Sequence, residues 1–534
     1  MSVSTGRHPA FFSLSSLILI APLCVLGAII GTELITTLGI TTNSSLIGAL
    51  AGMALARLPM AIFSHYKSTH MQNLAQSAIS AATFGAGNAL LLPIGIPFVL
   101  GRMDLVMPMM VGVFLATLLD GYMLYRMFDS EVFPAEGAWP PGVAAAEAIK
   151  AGDEGGRKGV VLLGGLAVGI IGSIGLGPIP AIPMSAFGVA FIGNIWALTM
   201  FGVGLLARGY STTLFPWLTP DGDLMKAYIP HGVMVGAGLV ALIQVVMLML
   251  KQDGATTGTR TPATEVRRTI VGGTLTYALI AVIIALLGGL YAEMSVGMLI
   301  AFVIYAAFAA LIHELIVGLA AMHAGWFPAF AVALITLVIG MLIGFPAPAL
   351  CLMVGFSAAT GPAFADMGYD LKAGYMLRGY GTDPEFERDG RRQQLYAALF
   401  AFVVAGIVVL ISYKGYFAAG KVAPVDKVYV ATIKAGASWE VAKQLLIWAI
   451  PGAVIQFLGG PQRQLGVLLA TGLLLLNPIA GWAVLVGVAL RIVWTRATAG
   501  KQQSEMEVFA AGVIAGDALY GFYDTTSKTF LPKK

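Results

Sequence analysis

The feature that most constrains this chain is a succession of apolar runs, each long enough to cross a lipid bilayer, that extends from Phe11 to Tyr523. A helix needs roughly 20 mostly apolar residues to span a hydrocarbon layer about 30 Å thick. Hydrophobic residues make up 58% of the 534 residues and charged residues only 11%, a composition outside the range of soluble globular domains. The sequence therefore predicts an all-α polytopic membrane protein.

The apolar runs predict about 16 transmembrane helices. The candidate spans are residues 11–34, 44–64, 72–100 (interrupted), 104–127, 158–178, 184–209, 228–250, 269–291, 295–318, 323–344, 347–366, 393–413, 440–460, 465–495 and 505–524. Two shorter apolar pieces, 134–152 and 425–437, either cross the membrane or enter it and return. The first run follows Arg7 and is too long for the core of a signal peptide, so we expect a retained helix.

Basic residues in short loops indicate the orientation. Lys251, Arg260, Arg267 and Arg268 share one loop, and a second basic loop lies between residues 372 and 392. The positive-inside rule places both loops in the cytoplasm. The net charge of +4 reflects such helix-flanking residues, so no nucleic-acid partner is expected. We predict a multi-pass protein of the plasma membrane, specifically a bacterial inner membrane.

Three short motifs recur in the same order about 280 residues further along the chain, which indicates an internal duplication. The matched pairs are Ser80–Thr83 with Ser357–Thr360, Ile149–Gly152 with Ile433–Gly436, and Gly232–Leu239 with Gly512–Leu519. Duplicated membrane domains are typical of secondary transporters, whose substrate site lies between two halves at Gly- and Pro-interrupted segments. We therefore predict two homologous halves, residues 1–250 and 269–534, with interrupted or re-entrant pore segments and a cytoplasmic linker at 251–268.

A polar stripe occurs on an otherwise small-residue helix near the start of the third span. Gln72, Asn73, Gln76 and Ser80 are spaced by three or four residues, so they share one helical face. The stripe predicts hydrogen bonding to a substrate in a cavity. Hydrogen bonding between helices is the alternative.

The segment from Phe133 has prolines at 134, 140 and 141 followed by an alanine-rich stretch. A helix that starts at Pro141 presents unpaired backbone N–H groups, which can hold a substrate carboxylate. Glu136 and Trp139 precede this helix and are candidate substrate-binding residues, and Glu136 is also a candidate proton carrier. An ordinary loop with exposed acids is the alternative.

Isolated charges within apolar runs are further candidates, because an ionised group in the membrane needs a partner, a cavity or a proton. Asp120, Asp366 and Asp517 fall in or close to such runs, and Asp517 and Asp120 are predicted proton-coupling groups. Helix packing through a neighbouring hydroxyl is the alternative. Arg57 is a candidate anion-binding residue, or a snorkelling one.

Metal and nucleotide chemistry find little support in the sequence. His313, Glu314 and His323 form a weak metal-site candidate, but they do not complete an H-E-x-x-H pattern. No phosphate-binding loop or dinucleotide fingerprint is present, so no cofactor and no ATP-driven step are predicted. The two cysteines, Cys24 and Cys351, lie in apolar runs and suggest neither a disulfide nor a metal site.

The stretch from Ala363 to Leu395 resembles the oligopeptide transporter family, which includes the yellow stripe-like metal-chelate carriers. The resemblance rests on Asp370-Leu371-Lys372-x-Gly374-Tyr375 followed by a proline and Arg391-Arg392-Gln393-Gln394, and on Asn73–Ser77, Phe133–Gly152 and Gly512–Gly516. It implies a duplicated fold and proton-coupled movement of small peptides or metal chelates. Two positions depart from the family pattern: Pro134 is followed by Ala-Glu-Gly-Ala, and Asp517 stands where family members often have Glu.

We therefore predict a secondary active, proton-coupled transporter and not an enzyme. The expected partners are a peptide or other small solute, protons and the lipid bilayer, and a homodimer remains open. Two alternatives stay open as well. A channel would need a continuous polar pore, and a membrane-embedded metal enzyme would use His313, Glu314 and His323.

Overall fold

A computed structural model of the chain describes residues 8–39, 66–152, 157–175, 181–218, 222–250, 261–324, 329–436, 439–498 and 502–530. Within these ranges the chain forms helices and connecting turns and no β-strand. Nine helical segments of the described chain are long and apolar enough to cross a bilayer. The protein is therefore an all-α, multi-pass membrane protein, as its composition predicts.

The helices of the first half are α1 (Leu14–Thr37), α2 (Thr69–Phe84), α3 (Leu92–Leu100), α4 (Val106–Met127), α5 (Pro140–Gly152), α6 (Arg157–Ile174), α7 (Met184–Ile192), α8 (Ile195–Gly209), α9 (Ser211–Leu214) and α10 (Ile229–Leu250). The predicted span 44–64, which contains Arg57, lies outside the described residues.

The helices of the second half are α11 (Ala263–Leu287), α12 (Val296–Ala324), α13 (Ala329–Ile343), α14 (Ala347–Ala359), α15 (Pro362–Leu377), α16 (Pro384–Ala418), α17 (Pro424–Ala435), α18 (Trp439–Arg463), α19 (Leu465–Leu474), α20 (Pro478–Ala497) and α21 (Gln503–Phe530). Because α11 begins at Ala263, residues 263–268 of the predicted linker belong to this helix instead.

The centre of the protein is formed by two interrupted helices, α2–α3 and α14–α15. The most apolar window is 78% buried in α2–α3 and 94% buried in α14–α15, against 17% in α18. A π-helix, Gly85–Leu91, joins α2 to α3. Pro93 and Pro97 in α3 cannot donate the backbone hydrogen bonds of a continuous α-helix, so the interruption predicted in the run 72–100 takes the form of a wider turn.

The break between α14 and α15 has a different cause. Thr360 is extended, and Gly361 has a φ of 109°, a conformation that residues with a Cβ rarely adopt. Pro362 then starts α15, and a proline disfavours helical geometry in the residue before it. The chain therefore cannot continue as one helix through this point.

The break at Gly361 divides the predicted span 347–366, and two further predicted spans are wrong as single helices. The run 184–209 divides into α7 and α8, and the run 465–495 divides into α19 and α20. Asn194 accepts hydrogen bonds from two backbone N–H groups at the start of α8, and Asn477 accepts one at the start of α20. Capping by Asn satisfies the free N–H groups of a new helix, but one uncharged Asn hardly changes the hydropathy of an apolar run.

Ion pairs at one end of the helices join the end of α4 to the starts of α11 and α16. Arg126 Nε lies 2.9 Å from Glu265 Oε1, and Arg391 Nη2 lies 2.7 Å from Asp129 Oδ2. The helix α4 therefore runs antiparallel to both α11 and α16. We call this end, which carries the predicted cytoplasmic basic loops, the basic end.

Ion pairs at the opposite end connect other chain turns. Arg102 Nη2, before α4, lies 3.3 Å from Glu293 Oε1, before α12. Lys421 Nζ, after α16, lies 3.0 Å from Glu33 Oε1 near the end of α1. The short helix α17 therefore starts at the opposite end, whereas the short helix α5 starts near the basic end.

Glycines allow two pairs of helices to pack backbone to backbone, α10 with α18 and α6 with α21. A Cβ atom at Gly236 in α10 would lie 1.8 Å from the Ala449 carbonyl oxygen in α18, and one at Gly516 in α21 would lie 2.2 Å from the Leu166 carbonyl oxygen in α6. Both glycines belong to the recurring motifs of the sequence. Their purpose is close packing between helices, as small residues provide in membrane proteins.

Substitution Gly236→Ala should lower the melting temperature of the detergent-solubilised protein, because overpacking a tight contact costs roughly 1–3 kcal/mol. The matched control is Gly272→Ala in α11, where nothing lies within 4 Å of an added Cβ. That control should match the parent or exceed it slightly, since Ala favours helix. Equal melting temperatures for the two variants would contradict the packing assignment.

Candidate functional site

Two carboxylates lie one helical turn apart on α15 and face α2. Ser80 Oγ donates a hydrogen bond to Asp366 Oδ1 at 2.5 Å, and Gln76 Nε2 donates to Asp370 Oδ1 at 2.6 Å. Asp366 is 1% exposed and Asp370 is fully buried. The four-residue spacing on both helices places each donor opposite one acid. We call Asp366 and Asp370 the carboxylate pair.

The second oxygen of each acid has no partner. Asp366 Oδ2 and Asp370 Oδ2 are buried and make no hydrogen bond within the described chain, and the nearby Tyr369 hydroxyl is unpartnered too. Burying an unpaired ionised carboxylate costs several kcal/mol. Two such groups separated by about 6 Å along a helix also repel each other when both are ionised. The carboxylate pair is therefore suited to hold a proton.

The predicted polar stripe on α2 continues beside these contacts. Asn73 Nδ2 donates to Gln76 Oε1 at 2.8 Å, and Gln72 Nε2 donates to the Tyr66 carbonyl oxygen at 3.0 Å. The amide oxygens of Gln72 and Asn73 are buried without a hydrogen-bond partner. Gln76 and Ser80 thus use their side chains in hydrogen bonds between helices. Among the described residues, the side-chain amide oxygens of Gln72 and Asn73 accept no hydrogen bond.

A ladder of buried ion pairs closes the basic end. Arg378 Nε lies 2.7 Å from Glu387 Oε2, and Arg391 Nε lies 2.9 Å from Glu387 Oε1. Arg391 also pairs with Asp129. None of these four side chains is more than 9% exposed. This ion ladder fastens the end of α15 to the start of α16 and to the chain that follows α4.

Gln394 connects the ion ladder to the carboxylate pair. Its Oε1 accepts a hydrogen bond from Arg378 Nη1 at 2.8 Å, and its Nε2 donates to the Asp370 carbonyl oxygen at 2.7 Å and to Ser77 Oγ at 3.0 Å. A displacement of α16 at the basic end would therefore disturb the backbone beside Asp370.

The other residues of the predicted cytoplasmic signature have separate positions. Lys372 Nζ donates to the Ala135 carbonyl oxygen at 2.9 Å and lies 5.8 Å from the centre of the Tyr375 ring. Arg392 is exposed and pairs with Asp389 at 2.6 Å. Lys372 thus holds the segment before α5 against α15, whereas Arg392 lies on the surface.

The segment before α5 packs through an aromatic anchor. Trp139 is fully buried, and its Nε1 donates to the Pro134 carbonyl oxygen at 3.2 Å. Its ring lies against Gly368 in α15, where a Cβ would come within 2.1 Å. Glu136 is exposed and interacts electrostatically with Lys372. The helix α5 itself starts at Pro140, one residue before the predicted Pro141.

The chain before α1 also contacts this end. The rings of His8 and Phe386, at the start of α16, lie 5.5 Å apart. Burial and the Arg378 guanidinium lower the pKa of His8 to about 4. His8 is therefore neutral near pH 7, and it packs as an aromatic residue.

A cavity of about 190 Å³ lies where helices from both predicted halves meet. Its polar lining consists of Asn88 in the π-helix, Tyr429 in α17, and Gln464 and Thr471 at α19. Pro362, the first residue of α15, also lines it. We call this space the central cavity. Ligand pockets commonly have roughly 300–1,000 Å³, so a larger solute needs this one to widen.

None of the predicted substrate-binding residues within the described chain borders the central cavity. Gln76 and Ser80 are connected to the cavity only indirectly. They bind the carboxylate pair on α15, and the first residue of α15 lines the cavity. The polar stripe, Glu136 and Trp139 therefore remain predictions as substrate ligands, while their present contacts hold helices together. Arg57 lies outside the described residues.

A second acidic cluster surrounds the break between α14 and α15. Asp120 Oδ1 accepts from the Tyr277 hydroxyl at 2.6 Å, and its Oδ2 accepts from the Gly361 backbone N–H at 2.8 Å. Glu314 is fully buried beside Tyr277 and Asp120. Because both oxygens of Asp120 are hydrogen-bonded, its contacts favour support of the helix break over proton transfer.

His313 is not placed as a metal ligand. Its two ring nitrogens face the carbonyl oxygens of Thr360 and Ala329, the latter at 2.9 Å. A metal needs a free lone pair on one of these nitrogens. Among the described residues no group of three or more His, Cys, Asp or Glu side chains could hold a metal ion. The side chain of His323 lies outside the described residues.

Asp517 has the contacts of a helix cap. The Ser173 hydroxyl donates to its Oδ1, and the Ser185 backbone N–H, in the first turn of α7, donates to its Oδ2 at 2.7 Å. This arrangement satisfies a free N–H group at a helix start and favours the packing alternative. Its role as a proton carrier stays a prediction.

Two buried acids escaped the sequence reasoning, Glu387 at the basic end and Asp426 towards the opposite end, and Gln394 was noticed only as part of a motif and not as a connecting residue. Glu387 and Gln394 follow a helix start among exposed charges, so their burial leaves no local signal. The carboxylate pair could have been found, because Asp366 and Asp370 are four residues apart and bracket an apolar face. The sequence assigned Asp370 to a loop motif instead.

The comparison with known families gives one match. A family model described as OPT oligopeptide transporter protein matches residues 13–249 and 184–525 of the chain. The two matched stretches overlap and together span nearly all of the sequence. No curated protein matches the chain.

Substitution Arg378→Gln should destabilise the protein strongly, because removing one partner of a buried ion pair typically costs about 3–5 kcal/mol. Arg392→Gln is the matched control, since its ion pair lies on the surface and should contribute little. Thermal unfolding of both solubilised variants measures the difference. Similar melting temperatures would mean that the ion ladder does not stabilise the basic end.

Proposed function

Because the chain belongs to the OPT oligopeptide transporter family, we propose that it is a secondary active transporter that carries small peptides or peptide-like solutes, metal chelates included, together with protons. The single observation that carries this proposal is the position of the carboxylate pair. Asp366 lies four residues after Pro362, which is about 6 Å along the helix axis, and Pro362 lines the central cavity.

This geometry supports proton coupling. When Asp366 is ionised, Ser80 donates one hydrogen bond to it and its second oxygen remains unsatisfied. Protonation removes the charge and changes which arrangement of α2 and α15 is favourable. A solute that reaches Pro362 contacts the helix that carries this proton. Proton binding and solute binding can then bias the same helix.

The course of the helices supports a carrier with two halves. The recurring motifs pair α4 with α16, and these two helices run antiparallel. Asp129 meets Arg391 at the basic end, and the Tyr413 hydroxyl donates to Met107 Sδ near the opposite end, at 3.9 Å. We infer two homologous halves of inverted topology, with α11 as an additional helix between them. Such halves can open a shared site to one side of the membrane at a time.

The lining of the central cavity supports a peptide-like solute. Asn88 Oδ1 is a buried acceptor that has no partner among the described residues, and Gln464, Tyr429 and Thr471 add further polar groups on a mostly apolar wall. Amides and hydroxyls of this kind can pair with the N–H and C=O groups of a peptide or chelate. The basic loops support a cytoplasmic orientation of the basic end, and we propose a bacterial plasma membrane as the location. A homodimer is compatible with this arrangement.

Substitution Asp366→Asn or Asp370→Asn should abolish solute accumulation driven by an acidic exterior, because a neutral amide cannot take up and release the proton. Exchange of solute across the membrane without a gradient should persist, since the central cavity is unchanged. Uptake by proteoliposomes, with a panel of dipeptides to pentapeptides and metal-loaded chelators, measures both. Asp389→Asn, a surface acid of the same region, is the matched control.

Accumulation that survives in both variants would remove the carboxylate pair from the coupling mechanism. If the parent protein itself ignores the pH gradient with every member of the panel, then proton coupling is wrong. Currents that rise linearly with solute concentration, without saturation, would favour a channel over a carrier.

A further inference from the structure

A further buried acid lies beside the central cavity, on the short helix α17, which starts at the opposite end. Asp426 is the third residue of this helix and is fully buried. Within the part of the chain that the structure describes, neither of its carboxyl oxygens makes a hydrogen bond of normal geometry. Within the described chain, the groups that favour its charge are the adjoining Lys427 ammonium and the Ala423 backbone, both on its own segment. Nothing on the facing helix compensates the charge.

The facing helix is α3, and it meets Asp426 with a glycine. A Cβ at Gly95 would lie 2.0 Å from Asp426 Oδ2, so the carboxyl group lies directly on the backbone of α3. Gly95 stands between Pro93 and Pro97, and no residue of α3 is titratable. This contact requires both a small residue on α3 and a carboxyl group that can be enclosed by apolar surface.

At the equivalent contact near the basic end, the charged residue lies on the interrupted helix α14–α15 and the glycine lies on the short helix α5. There α5 packs against α15, and a Cβ added at Gly142 of α5 would lie 2.8 Å from Lys372 Cβ. The spacing from Ser80 to Ser357 pairs Gly95 with Lys372, and the spacing from Ile149 to Ile433 pairs Gly142 with Asp426. Lys372 has an acceptor, the Ala135 carbonyl oxygen. Asp426 has no such partner among the described residues, so the two contacts differ in what their charged residue needs.

The other titratable groups around Asp426 leave it as the residue that responds to pH. Cys351 of α14 and Tyr429 of α17 face it, and both are neutral at ordinary pH. Lys427 lies beside it and is itself near Arg208 and His231. Of the other helices that pack on α17, α13 and α19 contain no titratable residue. The helix α18 carries Glu440, Lys443 and Arg463, none of which is among the groups that act on the Asp426 charge.

The helix that carries Asp426 forms one wall of the central cavity. Val425 and Tyr429, on either side of Asp426 in the sequence, both line the cavity. The Tyr429 ring packs on Phe330 at the start of α13, with the ring centres 5.3 Å apart. Any movement of α17 away from Gly95 would therefore open the cavity towards the opposite end.

We propose that Asp426 is a proton-binding site that controls this entrance: α17 closes on Gly95 when the carboxyl group is protonated and opens when it is ionised. Closing removes the acid from water, and a carboxylate without a partner resists that transfer. A proton taken from the side of the opposite end neutralises the acid and allows α17 to pack. This inference rests on the proposed transport function and adds a second proton site to it, separate from the carboxylate pair.

Labelling of a single reporter cysteine tests the proposal without any solute. The background is Cys24→Ser with Cys351→Ala, and the reporter is Thr471→Cys in the cavity wall. The protein in proteoliposomes is treated with a membrane-impermeant maleimide from the side of the opposite end, over acidic to mildly alkaline pH. Each rate is divided by the rate of the same reporter in the Asp426→Asn variant, which cancels the pH dependence of the thiol itself.

With Asp426 present, this ratio should rise with pH by roughly tenfold, because ionisation of Asp426 favours the open position of α17. A tenfold change in the open–closed equilibrium corresponds to about 1.4 kcal/mol. Gly95→Ala should give fast labelling at every pH, since the added Cβ prevents closure. Gly142→Ala is the matched control. It disturbs the equivalent contact near the basic end, so the labelling ratio measured from the opposite end should stay unchanged.

A ratio that stays flat across the pH range would overturn the proposal, as would a rise that depends on sodium at constant pH. If Gly95→Ala fails to fold, the comparison of the reporter protein with its Asp426→Asn variant still decides, since this substitution preserves size. Failure of the transport proposal has a different signature: uptake would be absent while the labelling ratio still responded to pH.

Discussion

The arrangement of the whole protein depends on the burial of carboxylates at membrane depth. Water is absent there, so each acid must find a donor on another helix or hold a proton. Gln76 and Ser80 of α2 supply the donors for α15 and fix the register of the two central helices. Because the helices are antiparallel and the contacts recur every four residues, a shift by one residue would break both of these hydrogen bonds at once.

The central helices can approach each other because the peripheral ones pack so closely. Gly236 and Gly516 bring α10 against α18 and α6 against α21, and each pair joins one predicted half to the other. Helices from different halves are thus interleaved, and the central cavity lies among them. A movement of one half against the other must be accommodated at the breaks, the π-helix Gly85–Leu91 and the turn at Gly361, because packed backbones of this kind do not stretch.

Much of this architecture could be predicted from the sequence. Hydropathy predicted the helical membrane fold, and the reading of the apolar runs predicted an interruption in the run 72–100. The spacing of Gln76 and Ser80 predicted that they share a face. What they face could not be predicted, because Asp366 and Asp370 are almost 300 residues away and one of them stands in a recognisable loop motif. The divisions at Asn194 and Asn477 were missed because a capping side chain acts through backbone geometry, which hydropathy does not measure.

The two ends of the protein are closed by different physics. The ion ladder at the basic end compensates every charge within a buried network, so opening it means separating Arg378 from Glu387 and exposing both. The pairs at the opposite end, such as Arg102 with Glu293, are partly exposed and hold less firmly. There the contact that we propose to close the cavity is Asp426 on Gly95, which in this proposal depends on a proton instead of a fixed partner. An end closed in this way would respond to the pH on its own side, whereas a fully compensated ladder would not. In the proposed mechanism a pH difference across the membrane would therefore act on this molecule asymmetrically, and such asymmetry is what a gradient needs in order to drive transport in one direction.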